Sequence, residues 1–482
     1  MTGIKVLAVA SEIYPLVKTG GLADVVGALP LALCRHGVET TTLVPGYPAV
    51  MGAIRSADTL LTIDDLFGGG ARVLRSTVAD LDLLILDAPH LFDRPGNPYT
   101  APNGDDWPDN AFRFGALAWI AAQIGLGEAA GYAPDIVHAH DWQAALAFGY
   151  LAYQDRRRPA TVLTVHNLAY QGQFPAELLQ QLRLPGHAFT IDGVESYGNI
   201  GFLKAGLQFA DRITTVSPTY AQEIQTPANG CGLDGLLRAR SSVLTGIRNG
   251  IDIDVWNPET DARIASRFGL TTLSARKSNK AALQDRFGLH QDAERPLFAV
   301  ISRLAWQKGL DLLAEATSAL LARGAQLAML GTGDPKLEQR FAALAHDNPG
   351  QVGCVLGHDE DLAHLMQAGA DAILVPSRFE PCGLTQLCAM RYGAIPVVAK
   401  VGGLADTVVD FAQTPAAGAT GIQFYPVTRE ELEAALHRAA DLWSDSAAWH
   451  AVQMNGMRTD VSWAGPANEF FRLYAGLLAP KN

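Results

Sequence analysis

Two stretches of this 482-residue chain resemble each other: Lys18-Thr19-Gly20-Gly21-Leu22-Ala23-Asp24 and Lys400-Val401-Gly402-Gly403-Leu404-Ala405-Asp406. Each follows an apolar, strand-like run and leads into an apolar segment with helical spacing. Glycines at a strand-to-helix turn leave backbone N–H groups uncovered, and the helix N-terminus adds about half a positive charge. The neighbouring lysine adds a whole one. Such turns suit an anion, or they are plain tight turns, since neither fits the Walker pattern or G-x-G-x-x-G. The first follows the opening strand of its half and the second a late strand of the other, so they are not equivalent positions of a duplicated unit.

Other polar groups also follow strand-like runs. Ser302-Arg303-Leu304-Ala305-Trp306-Gln307-Lys308-Gly309 puts two permanent cations in one strand-to-helix loop. Arginine offers a fork to two oxygens and lysine a compact charge, a pairing suited to a diphosphate. Pro376-Ser377-Arg378-Phe379-Glu380-Pro381-Cys382-Gly383-Leu384-Thr385 carries a carboxylate held extended by the proline after it. The amides of Gly383, Leu384 and Thr385 open a helix and suit a phosphate, whereas Glu380 suits sugar hydroxyls or the helix dipole.

In His138-Ala139-His140-Asp141-Trp142, the two histidines share one strand face and have a metal-like spacing, but the sequence offers no third ligand. Asp141 also reads as a helix N-cap. His166-Asn167 follows the next strand and suits a hydroxylated ligand. Asp80-Leu81-Asp82 and Asp252-Ile253-Asp254 have the spacing of a divalent-metal site, yet read better as edges of elements. With Lys18, Arg303 and Lys308 present, protein cations can balance a diphosphate.

These residues need elements to hold them. Apolar runs at 4–10, 40–44, 83–86, 136–138, 162–165, 213–216 and 243–247 alternate with helical patterns such as 110–124 and 142–153. A second series has strands at 297–301, 326–330, 353–356, 372–375 and 395–399, with helices at 310–322, 335–345, 361–368, 383–392 and 429–442. Near-continuous apolar strands alternating with helices predict α/β units with parallel sheets covered on both faces. The domains are expected at 1–246 and 247–456, followed by a C-terminal helical segment at 457–482. In that segment, Phe470, Phe471, Tyr474 and Leu477 fit one helical face.

A net charge of −12 disfavours nucleic acid and anionic membrane as partners. No apolar run is long enough to span a bilayer. Met1 leads directly into a strand, and the five cysteines have no C-x-x-C spacing, so a cytoplasmic protein with reduced thiols is expected.

Taken together, KTGGLAD, HAHDW, TVHNLAYQG, SRL-x-x-QKG, PSRFEPCGLTQL and GGLADTV resemble, in order, the bacterial glycogen synthases and plant starch synthases. The resemblance implies the GT-B fold, two Rossmann-like doubly wound domains facing a deep interdomain cleft, with the C-terminal helix returning to the first domain. It implies retaining transfer of glucose from ADP-glucose to the non-reducing end of an α-1,4-glucan such as glycogen, releasing ADP, with no metal or other cofactor. By the resemblance, Arg303 and Lys308 stabilise the leaving ADP, with amides from Gly20, Gly21, Leu384 and Thr385. Lys18 belongs to the sugar-nucleotide site. Asp24, His166, Asn167, Asn249, Glu380, Cys382 and Gly383 surround the glucose and phosphates. Asp141 faces the acceptor, Tyr99 lines the cleft from a mobile loop, and His358 lies beside the base.

The family's wider two-glutamate pattern has Glu380 first but Cys388 second, and His358 stands where an aromatic is usual. A double displacement needs a nucleophilic carboxylate about 5 Å from its partner acid. The sequence shows no such pair, so front-face attack is expected, with the His166 peptide carbonyl stabilising positive charge on the sugar. The competing readings are a UDP-glucose-dependent GT-B glucosyltransferase and a non-catalytic glucan- or nucleotide-binding protein.

Overall fold

The computed structural model describes residues 3–414 and 418–479. The chain forms two compact units: one runs up to Asn249 and is rejoined by the chain from Trp463, and the other spans Gly250–Ser462.

The first unit is built on a nine-stranded sheet. Its strands are β1 (Ile4–Val9), β2 (Val38–Pro45), β3 (Asp58–Ile63), β4 (Ala71–Val78), β5 (Leu81–Asp87), β6 (Ile136–His140) and β7 (Ala160–Val165). After a separate three-stranded sheet of β8 (Gln173–Pro175), β9 (Glu195–Ser196) and β10 (Asn199–Gly201) come β11 (Arg212–Thr215) and β12 (Leu244–Gly246). The order is β12-β11-β7-β6-β1-β2-β5-β4-β3. All pairings are parallel except β3–β4 and β4–β5, so an antiparallel hairpin edge corrects the wholly parallel expectation. The β3 strand has no buried run to announce it; its ladder with β4 makes it a strand.

The second unit has six parallel strands: β13 (Leu297–Ile301), β14 (Gln326–Gly331), β15 (Val352–Leu356), β16 (Ala372–Val375), β17 (Ile395–Ala399) and β18 (Ile422–Phe424). Their order is β15-β14-β13-β16-β17-β18, the doubly wound Rossmann order. The central strands β13, β14, β16 and β17 are buried almost throughout because helices cover both faces.

The order reverses between β1 and β6 in the first unit and between β13 and β16 in the second. Ligands in open α/β sheets bind outside the carboxyl ends of the strands at such reversals. The C-terminal helix Ala464–Leu478 packs Ala467, Phe470 and Tyr474 against Val6, Val25, Leu29 and Ile136 of the first unit.

Candidate active site

In the first unit, β1 delivers Ser11 and Glu12 to the sheet's carboxyl end. Glu12 is 3% exposed, and its carboxylate accepts the Thr19 N–H, the Thr19 hydroxyl at 2.6 Å and the Gly20 N–H at 3.3 Å. It also accepts the Tyr99 hydroxyl, which lies 2.7 Å from Ser11 Oγ. An internal carboxylate therefore already occupies the Gly20 amide expected to face phosphate. Gly21, the first residue of the exposed start of the Gly21–Cys34 helix, remains at the turn. Lys18 pairs with Asp24 at 2.9 Å, so the expected cation shares its charge with a carboxylate of the same site.

Tyr99 is fastened rather than loose. Besides its hydroxyl contacts, its carbonyl accepts from Asn110 Nδ2 at 3.0 Å, and buried Arg113 donates to the Pro98 carbonyl at 2.7 Å. Burial, then the charge of Glu12, holds the Tyr99 phenol well above its ordinary pKa.

Asp141 follows β6 directly, with φ +56°. Its side chain is not the N-cap of its own helix; Oδ1 accepts the backbone N–H of His166 at 2.7 Å and of Asn167 at 3.4 Å. Burial, opposed by these two bonds and reinforced by the Glu12 charge, pushes the Asp141 carboxyl up to about 7.

His140 Nδ1 lies 3.0 Å from His166 Nε2. His138 has both nitrogens engaged, by the Tyr474 hydroxyl at 2.7 Å and Thr164 Oγ1 at 2.6 Å, so it belongs to a buried hydrogen-bond network. Burial pushes His138 and His166 down to about 3 and lowers His140 in the same direction. The three imidazoles are therefore neutral at neutral pH. Asn249 is buried just beyond β12. The two acidic pairs belong to element edges: Asp82 takes Thr41 and Arg75, and Asp252 caps the Asp254 and Val255 amides.

In the second unit, Arg303 and Lys308 follow β13 on one side of the order reversal, and Glu380 follows β16 on the other. Arg303 is exposed, and among the described residues nothing pairs with its guanidinium. Lys308 Nζ lies 2.5 Å from Glu380 Oε2, which also accepts Ser377 Oγ at 3.0 Å. Glu380 is 8% exposed, so its carboxylate serves Lys308 rather than only a helix dipole. Cys382, Gly383 and Leu384 are half-buried ahead of the helix that opens at Thr385, and Gly383 has φ +68°. His358 is exposed beyond β15, 3.8 Å from Glu360.

The second Gly-Gly turn holds protein rather than offering its amides. Gly403 N–H donates to the carbonyls of Glu380 at 3.0 Å and Pro381 at 3.2 Å. A Cβ on Gly403 would lie 2.1 Å from the Cys382 carbonyl oxygen, so the turn braces the Glu380 segment.

Glu12 and the brace at Gly403 escaped the sequence reading. An acid two positions past an apolar strand, ahead of a Gly-Gly turn, was the available signal for Glu12.

The starch synthase catalytic domain family matches residues 5–239, and the glycosyl transferases group 1 family matches residues 283–450. The glycogen synthase of Rhodopseudomonas palustris (strain BisA53) is 62% identical over 484 residues, covering 100% of this chain and 99% of its own. That of Methylocella silvestris is 58% identical, covering 99% of each. The catalytic domain of starch synthase IV from Arabidopsis thaliana, solved bound to ADP and acarbose, has a TM-score of 0.89 at 32% identity, covering 98% of this chain and 99% of its own. A sucrose-phosphate synthase from Thermosynechococcus elongatus shares the fold at a TM-score of 0.60 and 16% identity, covering 98% of this chain. Among the described residues, no helix is long and apolar enough to cross a membrane. With two Rossmann-ordered units, polar side chains gathered at the carboxyl ends of their strands and full-length relatives of this identity, the chain belongs to the glycogen synthase family of GT-B glycosyltransferases.

Proposed function

We propose that this protein transfers glucose from ADP-glucose, with retention, to the non-reducing end of an α-1,4-glucan in the cytoplasm, releasing ADP. The observation that carries the reading is Arg303: an exposed guanidinium with no partner among the described residues, on the loop that also bears Lys308, at the order reversal of the second sheet. Charge builds on the distal phosphate as the sugar–phosphate bond breaks. A cation already in place stabilises that charge without reorganisation. Lys308, held against Glu380, adds a second positive charge, and protein cations serve in place of a metal.

In the first unit, the bond from the Asn167 N–H to Asp141 orients the His166–Asn167 peptide that follows β7. The His166 carbonyl of that peptide stabilises positive charge on the sugar, and Asp141 orients the acceptor. The departing phosphate oxygen takes the acceptor's proton in front-face attack. The relative solved with ADP and acarbose supports a nucleoside diphosphate and a glucan-like ligand on this fold.

The test is transfer of radiolabelled glucose to glycogen from ADP-glucose and, separately, from UDP-glucose. Efficient labelling from ADP-glucose is expected. Preference for UDP-glucose overturns the donor assignment. ADP release without glucan growth marks a hydrolase, and neither product marks a binding protein.

A further inference from the structure

Arg378 lies in the stretch that carries Glu380. Its guanidinium makes three hydrogen bonds within the protein. Nη1 and Nη2 donate to the two oxygens of Asp311, each at 2.7 Å, and Nη1 also donates to the Trp306 carbonyl at 2.7 Å. The guanidinium lies 4.6 Å from the centroid of the Trp306 ring.

Main-chain bonds add to this. Arg378 N–H donates to the Gln307 carbonyl at 2.8 Å, and Gln307 Nε2 donates to the Phe379 carbonyl at 3.2 Å. At Gly309, with φ +65°, a Cβ would lie 2.0 Å from the Pro376 carbonyl oxygen, so the two loops touch main chain to main chain. Lys308 sits between the gripped Gln307 and Gly309, and Glu380 lies two residues past Arg378.

We propose that Arg378 is a positioning residue: its fork clasps Asp311 and the Trp306 carbonyl, locks the Lys308 loop to the Glu380 loop, and makes no contact with the donor. This rests on the functional reading above, since Lys308 matters only if a diphosphate leaves there. The chemistry requires arginine. Three bonds in one plane leave two carboxylate oxygens and a carbonyl satisfied at once, which a single ammonium on a flexible stem does not reproduce. The Asp311 carboxyl shows the same pairing, held below its ordinary pKa first by its bonds to Arg378. A displacement of about 1 Å at a reacting group costs about 10²-fold in rate.

The experiment compares Arg378→Ala, Arg378→Lys, Asp311→Asn, Lys308→Ala and the double Arg378→Ala/Lys308→Ala for kcat and KM with ADP-glucose and glycogen. Arg378→Lys and Arg378→Ala are each expected to lose at least about tenfold in kcat, with smaller changes in KM, because a misplaced Lys308 still attracts the donor. The double variant is expected to be no slower than Lys308→Ala alone, because Arg378 acts through Lys308. Wild-type turnover in Arg378→Lys overturns the clasp, since any cation then suffices. Losses that multiply in the double variant also overturn it, since Arg378 then acts on the donor itself. If Arg378→Ala fails to fold, Asp311→Asn opens the same clasp from the other side, and wild-type turnover there is equally fatal.

A crystal structure of Arg378→Lys separates this proposal from the functional reading. The Lys308–Glu380 contact of 2.5 Å is expected to lengthen, and an unchanged contact sinks the clasp whatever the donor proves to be. Absence of transfer from ADP-glucose by the unaltered protein, with the contact broken in the variant, sinks only the donor assignment.

Discussion

The carboxylate of Asp141 accepts the backbone N–H of His166 at 2.7 Å, tying the carboxyl end of β6 to that of β7. The bond stands where a ligand is expected, beside the order reversal of the first sheet. It also explains why a non-glycine residue keeps φ +56° at the start of a helix: the carboxylate gains two amides it would otherwise not reach.

This geometry sets a pH dependence. The Asp141 carboxyl is raised to about 7 chiefly by burial, whereas in the unfolded chain it titrates near 3.9. Between those values the folded protein holds a proton that the unfolded chain has lost. Asp141 therefore favours the folded state below about pH 4, and that contribution is lost as pH rises through about 7. Asp141→Asn should gain Tm relative to the unaltered protein as pH goes from 5 to 8, read by calorimetry. Its turnover should fall by about 10²-fold or more with no trapped intermediate, as acceptor positioning requires. A trapped glucosyl intermediate would speak for nucleophilic attack instead.

Arg303 and Lys308 should part company in stability while agreeing in rate. Alanine at either position is expected to lower kcat by about 10²-fold, by analogy with lost oxyanion donors. Arg303→Ala should leave urea unfolding unchanged, because the guanidinium has no partner among the described residues. Lys308→Ala should destabilise by about 1–3 kcal/mol, because it leaves the buried Glu380 carboxylate with Ser377 but without its ammonium. Near-normal turnover in both variants would reject the leaving-group role.

Glu12 organises the first unit's loop. Glu12→Ala strands the Thr19 and Gly20 amides and the Thr19 hydroxyl, and leaves the Tyr99 hydroxyl with Ser11 alone. A loss of about 1–3 kcal/mol in urea unfolding is expected, with KM for ADP-glucose raised. Glu12→Gln keeps an acceptor and should recover most of the stability. Equal loss in both variants would mean that charge, not hydrogen-bond acceptance, holds the turn.

The two Gly-Gly turns should respond oppositely to a methyl group. A Cβ on Gly20 meets no atom within 4 Å, and its backbone is extended, so Gly20→Ala should leave Tm unchanged and act only on KM. Gly403→Ala drives a Cβ to 2.1 Å from the Cys382 carbonyl oxygen and should lower Tm by several degrees together with kcat. Equal Tm in both variants would remove the brace assigned to Gly403.

Much of the fold was legible because parallel strands buried on both faces leave unbroken apolar runs. The strands at 297–301, 372–375 and 395–399 stand where those runs are, and the helix at 310–322 likewise. The hairpin of β3 and β4 was not legible, since an edge strand with little burial needs no apolar run. β18 is too short, with three residues, to announce itself. The helix Ser446–Arg458 was also missed: only four of its 13 residues are buried, and its mixed composition follows another helix with little break.

The sequence by itself determined the strands that are buried on both faces, that polar residues gather just past them, and which residue types sit there, because those features are local and periodic. Only the tertiary structure decided which charges cancel. Lys18 meets Asp24, Lys308 meets Glu380, Arg378 meets Asp311, and Arg303 meets none among the described residues. Three of these four cations, Lys18, Arg303 and Lys308, read alike in the sequence as balancing a diphosphate, and Arg378 did not enter that reading. The second and third ion pairs join residues 72 and 67 positions apart, and a separation of that size is closed by strand order, which no local spacing encodes.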